Sequence, residues 1–185
     1  MKLSGSRIIA ADRVAVWAAL NDAAVLKACI KGCQSLEKTS ETSFEATVKQ
    51  KVGPVSATFK GAVSLSDMNP PESYRISGEG KGGAAGYASG GADVRLMEVE
   101  GGTELTYDVD AKVGGKIAQL GSRLIDGFAK KMADQFFETF QKVVEGADDA
   151  PALGGAPDDA PSDAASGDGA TKDGEKKSWL KRLVS

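Results

Sequence analysis

Cys29 and Cys33 are the only cysteines in the chain, spaced C-x3-C. That spacing matches neither the C-x-x-C of redox motifs nor a paired zinc knuckle, so both thiols read as structural or incidental. With no secretion signal ahead of them, they suit a reducing compartment. Gly78, Gly80 and Gly83 spell G-x-G-x-x-G. A dinucleotide site needs a helix to open directly behind such glycines, so that its N-terminus meets the pyrophosphate. Here the next residues are Ala84-Ala85-Gly86-Tyr87-Ala88-Ser89-Gly90-Gly91, and then strand-forming sequence. The run therefore describes a hairpin of closely approaching backbones. Glu104, Asp108 and Asp110 form an acidic row. Paired carboxylates can exchange protons or hold a cation, but two residues apart on the wet face of a strand they read as solvated surface. Arg123 could orient a polar ligand head, although a surface ion pair is the plainer reading. The chain has no histidine, which removes Ser-His-Asp and Cys-His nucleophile pairs and His-ligated zinc. Catalytic and metal-ligating residues are therefore expected to be none.

The elements around these residues follow from periodicity. Leu3 to Ala10 reads as a strand and Asp12 to Leu20 as a short helix carrying Val14, Trp17 and Leu20. Ala23 to Ile30 reads as a second short helix that Gly32 ends. A long alternating pattern comes next: Phe44, Ala46 and Val48, then Val55 to Leu65 after Gly53-Pro54, then Tyr74 to Ser77, Ala92 to Val99 and Glu104 to Val113. Strict period-two alternation with short turns means an antiparallel sheet with one buried and one wet face. After Gly114-Gly115 the apolar residues Ile117, Leu120, Leu124, Phe128, Met132, Phe136, Phe140 and Val143 recur every three or four positions. That spacing predicts one amphipathic helix of about seven turns.

The fold class expected is α+β: a curved antiparallel sheet of about seven strands around a long C-terminal helix, with two short helices after the first strand. This is the helix-grip arrangement, in which the helix buries its stripe in the concave face of the sheet. Such a closure often leaves an apolar cavity, and the small inward candidates Ala46, Ala57, Gly61 and Ala111 favour a void over a filled core. Trp17, Phe59, Tyr87, Tyr107, Leu120, Leu124 and Phe128 are the residues expected to line it, with Tyr87 at its edge.

Charge divides the chain of 185 residues into three parts. Up to Glu145 the chain has 18 basic and 18 acidic residues, a neutral domain assigned to residues 1–146. It lacks the basic face that nucleic-acid binding needs. From Asp148 to Glu175 there are eight acids against Lys172 alone, among Ala, Gly, Pro and Ser. With almost nothing to bury, residues 147–175 are expected to be a disordered linker, with a span on the order of 30 Å. Residues 176–185 form a basic tip with four bases and no acid. Ser178 can cap a helix there. Trp179, Leu180, Leu183 and Val184 would form an apolar face beside Lys176, Lys177, Lys181 and Arg182, a composition that suits an anionic membrane surface. Docking into a partner protein, or no role, are the alternatives. No stretch of the chain reaches the eighteen or so uninterrupted apolar residues of a spanning helix.

The chain resembles the CoxG family of carbon monoxide dehydrogenase, within the START-like (SRPBCC) superfamily. The segments that carry the resemblance are Val16-Trp17-Ala18-Ala19-Leu20-Asn21-Asp22, Gly53-Pro54-Val55-Ser56-Ala57, the glycine-rich run from Gly78 to Gly90, Gly114 to Ile125, and Phe136-Phe137. One departure is Lys31-Gly32-Cys33, where the family usually has Pro-Gly-Cys. The resemblance implies a non-catalytic adaptor that brings a molybdenum hydroxylase of the carbon monoxide dehydrogenase type to the inner face of a bacterial cytoplasmic membrane, where electrons pass to quinone. It also implies a cavity able to hold a lipid or the quinone itself, with no covalent or metal cofactor. A soluble carrier of a hydrophobic ligand without an enzyme partner is the second reading. An enzyme such as a cyclase comes third, since few inward candidates are polar.

Overall fold

The computed structural model describes residues 1–147; the linker and the basic tip expected beyond them lie outside the described residues. The chain opens with β1 (Lys2–Ile9), α1 (Arg13–Leu20) and α2 (Ala23–Cys29). Both helices are short and both are started by an aspartate. Asp12 accepts a hydrogen bond from the Ala15 N–H, and Asp22 from the N–H groups of Ala24 and Val25. These side chains satisfy donors that the first turn of a helix leaves open.

Six strands follow: β2 (Cys33–Ser40), β3 (Ser43–Val52), β4 (Val55–Asn69), β5 (Ser73–Lys81), β6 (Tyr87–Val99) and β7 (Gly102–Gly114). With β1 they make one seven-stranded antiparallel sheet in the order β1-β7-β6-β5-β4-β3-β2. Sequential hairpins account for every neighbour except β1, which joins the edge beside β7. The glycine run forms the β5–β6 hairpin, with Gly78 opposite Gly90. A β-carbon at Gly90 would sit 2.3 Å from the Asp110 carbonyl oxygen of β7, so the neighbouring strand comes too close for any side chain there.

The long helix α3 (Ser122–Ala147) closes the domain. Together these elements are the helix-grip arrangement. The helix starts later than periodicity suggests. Ile117 and Leu120 keep the three-or-four spacing, but Ile117 precedes, and Leu120 ends, a separate 3-10 turn (Ala118–Leu120) that stops at Gly121. Gly121 has φ 89° and ψ 151°, outside any helix, and its carbonyl takes the first α3 bond, from the Ile125 N–H. Ile117 is held by the sheet end instead, its N–H donating to the Ala85 carbonyl at 3.0 Å.

The buried stripe also turns as it runs along α3. Phe137, Phe140 and Val144 are buried, while Val143 is 36% exposed and Leu124 41%. Spacings of three and four from Phe137 reach Phe140 and then Val144, so the face drifts off Val143. Phe140 is fully buried beside Ile9, Val16, Leu96 and Leu105. This is the tightly packed end of the core. Thr103, also fully buried, donates from Oγ1 to the Ala11 carbonyl at 2.8 Å.

Phe140→Ala should remove about 3–5 kcal/mol of unfolding free energy, seen as a lower urea midpoint with an unchanged slope. Val143→Ala should stay within about 0.5 kcal/mol of the parent. Equal losses would contradict this helix register.

Candidate functional site

The inward residues of the sheet do not all meet α3. Between the sheet, α2 and the middle of α3 lies a cavity of about 410 Å³, within the roughly 300–1,000 Å³ of small-molecule sites. Period two supplies its floor: Phe44 and Ala46 from β3, Val63 and Leu65 from β4, Ile76 from β5, Ala92 and Val94 from β6, and Leu105, Tyr107 and Val109 from β7. Met132, Ala133, Phe136 and Phe137 of α3 form the roof. Leu26 and Cys29 of α2, with Ile30 and Lys31 just beyond it, close one side; Leu3, Leu20 and Leu36 complete the lining. The space persists because Ala46, Ala92 and Ala133 are too short to fill it.

Aromatic rings stiffen this wall. Tyr107 stacks on Phe137 at 5.1 Å, and Phe136 meets Phe137 edge-on at 5.1 Å and Phe140 in a stack at 5.7 Å. Outside the lining, Trp17 packs edge-on against Tyr74 at 5.3 Å. Burial pushes the Tyr74 phenol far above its ordinary range and keeps it neutral.

Among the described residues the lining contains no carboxylate, no amide and no histidine; Cys29, Tyr107 and Lys31 are its polar residues, and Lys31 is exposed at its edge. General acid–base chemistry is most often carried by histidine or a carboxylate within hydrogen-bond reach of a substrate, and the described lining has neither. Burial raises the pKa of the Cys29 thiol. Burial raises that of Cys33 as well, partly opposed by Lys27. Both cysteines are free, and Cys33 Sγ donates to the Ser35 carbonyl at 3.3 Å. The arrangement can hold an apolar body and keep water away from it.

Of the seven residues expected at the cavity, Tyr107 lines it; Trp17, Phe59, Tyr87, Leu120, Leu124 and Phe128 lie outside the lining. Phe59 lies against Gly82, Leu124 faces Gly53 at the β3–β4 turn, and Tyr87 is 53% exposed where β6 meets Gly114. The late start of α3 accounts for both leucines: Leu120 lies in the 3-10 turn before the helix and Leu124 in its first turn, short of the residues that form the roof. Phe44 and Met132 were visible as members of their apolar patterns; Lys31 had no such signal. Asp108 and Asp110 are exposed on the outer face, near the Arg75–Asp93 ion pair of 2.8 Å. Arg123 is exposed and outside the cavity lining. The G-x-G-x-x-G run leads into a three-residue 3-10 turn (Gly83–Ala85) and a strand, with no α-helix behind it to receive a phosphate. Lys176, Lys177, Trp179, Leu180, Lys181, Arg182, Leu183 and Val184, expected at a membrane, lie outside the described residues. Among the described residues no group of three or more potential metal ligands occurs, and no helix is long and apolar enough to cross a membrane.

The family model for CoxG of carbon monoxide dehydrogenase matches residues 5–145. No curated protein matches the chain. Among solved structures, a conserved protein from Geobacillus kaustophilus is similar at 30% identity and a TM-score of 0.75, over 80% of this chain and 97% of that one. The Zhui aromatase/cyclase from a Streptomyces species shares the fold at 12% identity and a TM-score of 0.59, over 82% and 98% of the two chains. Ara h 8.0201 does so at 13% identity and a TM-score of 0.56, over 79% and 98%. The fold is therefore START-like as well as helix-grip.

Thiol labelling at pH 7.5 should find Cys29 the slower of the two cysteines, and both at least about tenfold faster in urea, because a raised pKa leaves less thiolate and burial blocks access. Saturation with a long-chain alcohol should slow Cys29 further and leave Cys33 unchanged. Equal protection of both would place the ligand elsewhere.

Proposed function

We propose, from the premise that this chain belongs to the CoxG family of carbon monoxide dehydrogenase, that it is a non-catalytic adaptor. In this reading it recruits a molybdenum-containing hydroxylase of the carbon monoxide dehydrogenase type to the inner face of the cytoplasmic membrane. Its cavity holds a lipid or quinone, and it uses no covalent or metal cofactor. The observation that carries the reading is the cavity: about 410 Å³ of space walled mostly by apolar side chains, with no carboxylate or histidine among the described lining residues. Such a site favours binding over turnover. The solved aromatase/cyclase shares the fold at 12% identity, and likeness at that level speaks for the fold alone.

The membrane part of the proposal rests on the composition of the last ten residues. Four bases near an anionic leaflet contribute about 1 kcal/mol each, and Trp179, Leu180, Leu183 and Val184 add apolar burial, less the cost of ordering the peptide. One such tip binds weakly and reversibly; several tips on an assembly would hold firmly through effective concentration. A second reading keeps the cavity and drops the enzyme: a soluble carrier of a lipid or quinone. It is favoured by the cavity's being walled by residues of this one chain.

Sedimentation with anionic liposomes separates the parts. The full chain should pellet at low salt and be released as salt is raised, while a chain truncated after Gly174 should stay in solution. If neither pellets, direct membrane contact is wrong. Solvent extraction of the purified full chain should yield an apolar ligand that an Ala92→Phe variant lacks. Copurification of a molybdenum hydroxylase supports the adaptor, and a ligand without that partner supports the carrier.

A further inference from the structure

Lys31 is the one charged residue among the described lining of the apolar cavity. Its position is fixed from both sides. The Lys31 carbonyl accepts from Gln50 Nε2 at 2.6 Å, and the next carbonyl, of Gly32, accepts from the Lys49 N–H at 2.9 Å. Gly32 has φ 80°, and a β-carbon there would stand 2.2 Å from the Lys49 carbonyl oxygen, so the turn that presents Lys31 suits glycine alone. The residue also borders a small cleft between α2 and α3 with Gln135, Glu138 and Thr139. Lys31 thus stands where the apolar interior meets the polar rim. Glu138, the one carboxylate among the described residues of that cleft, pairs with Lys142 at 2.8 Å. Among the described residues no ion pair involves Lys31.

We propose that Lys31 is the head-group subsite of this cavity and that its occupant is an amphiphile with one long apolar chain and an anionic head, a carboxylate or a phosphate. The inference rests on the lipophilic-site reading above and adds to it the chemistry of the ligand's polar end. The chain lies among Phe44, Ile76, Val94 and Phe136, where nothing polar competes for it. The head stops at the rim, where Lys31, in no ion pair among the described residues, donates charge-assisted hydrogen bonds to it. A volume near the lower end of ligand sites suits a single chain.

The test is calorimetric titration of the full chain with hexadecanoate, hexadecyl phosphate and hexadecanol, repeated with Lys31→Gln and Lys31→Arg. At low salt the anionic probes should bind roughly tenfold more tightly than the alcohol, the scale of one partly screened charge-assisted contact. That preference should shrink as salt rises. In Lys31→Gln the two anions should bind no more tightly than hexadecanol binds to the same variant, and Lys31→Arg should retain the preference. Whichever anion binds more tightly identifies the head as carboxylate or phosphate. Equal binding of all three probes, or an unaltered preference in Lys31→Gln, overturns the proposal and leaves Lys31 as a side chain whose stem covers apolar surface. If none of the three binds, the lipophilic-site reading falls as well.

Discussion

The seating of the C-terminal half of α3 on the sheet governs the rest of the domain. Phe140 is completely buried, with Phe137 and Val144 beside it on the same stripe. Apolar burial alone would let the helix slide, since it is non-directional. Polar contacts fix the register. Arg7 pairs with Asp134, Gln141 Nε2 donates to the Ile8 carbonyl at 2.7 Å, and the Ala10 N–H donates to Glu145 Oε1 at 3.0 Å. One of them occupies the Ile8 carbonyl of β1, an edge strand, and another the Ala10 N–H just past its end. The same helix therefore packs the core, sets its own position and ties down the C-terminal end of an edge strand.

A helix fixed so firmly at one end cannot settle elsewhere to fill space. Met132, Ala133, Phe136 and Phe137 are held above a floor that includes Ala46 and Ala92, and the gap between them stays open. An apolar void forfeits contacts that a packed interior would have. Any molecule that fills it recovers apolar burial at roughly 25 cal/mol per Å² and stabilises the folded state by mass action. The tight end of the core thus makes the loose end tolerable.

Much of this was legible in the sequence. The alternation of Val55 to Leu65 and of Leu105 to Val113 marked strands whose inward residues are those the structure covers, because period two leaves no choice of face once one side is buried. The strand Cys33–Ser40 was not located: within Gln34-Ser35-Leu36-Glu37-Lys38 only Leu36 is apolar, and an edge strand needs little more. The start of α3 was misplaced because Ile117 and Leu120 continue a helical spacing across Gly121, and spacing does not register a single residue at φ 89°. The cavity itself was expected, but six of the seven residues named for it lie outside its lining. Periodicity tells which residues face inward; which of those meet a void depends on the angle and start of one helix, and that is a tertiary property.

Lys31 shows where sequence reasoning loses its grip altogether. A lysine just past a short helix, before glycine, is an ordinary surface residue by every local criterion. Its surroundings change that status: α2 ends against β3, Gln50 and Lys49 hold the turn, and the wall behind it is apolar. A charge at the mouth of a greasy pocket has a different consequence from the same charge on a flat surface. Water can solvate it either way, but only in the pocket must a ligand's polar end lie beside it once the apolar chain is buried. For a ligand bound in the way proposed, the chain would set affinity and the rim selectivity, a division by which one apolar cavity can discriminate among ligands of similar length.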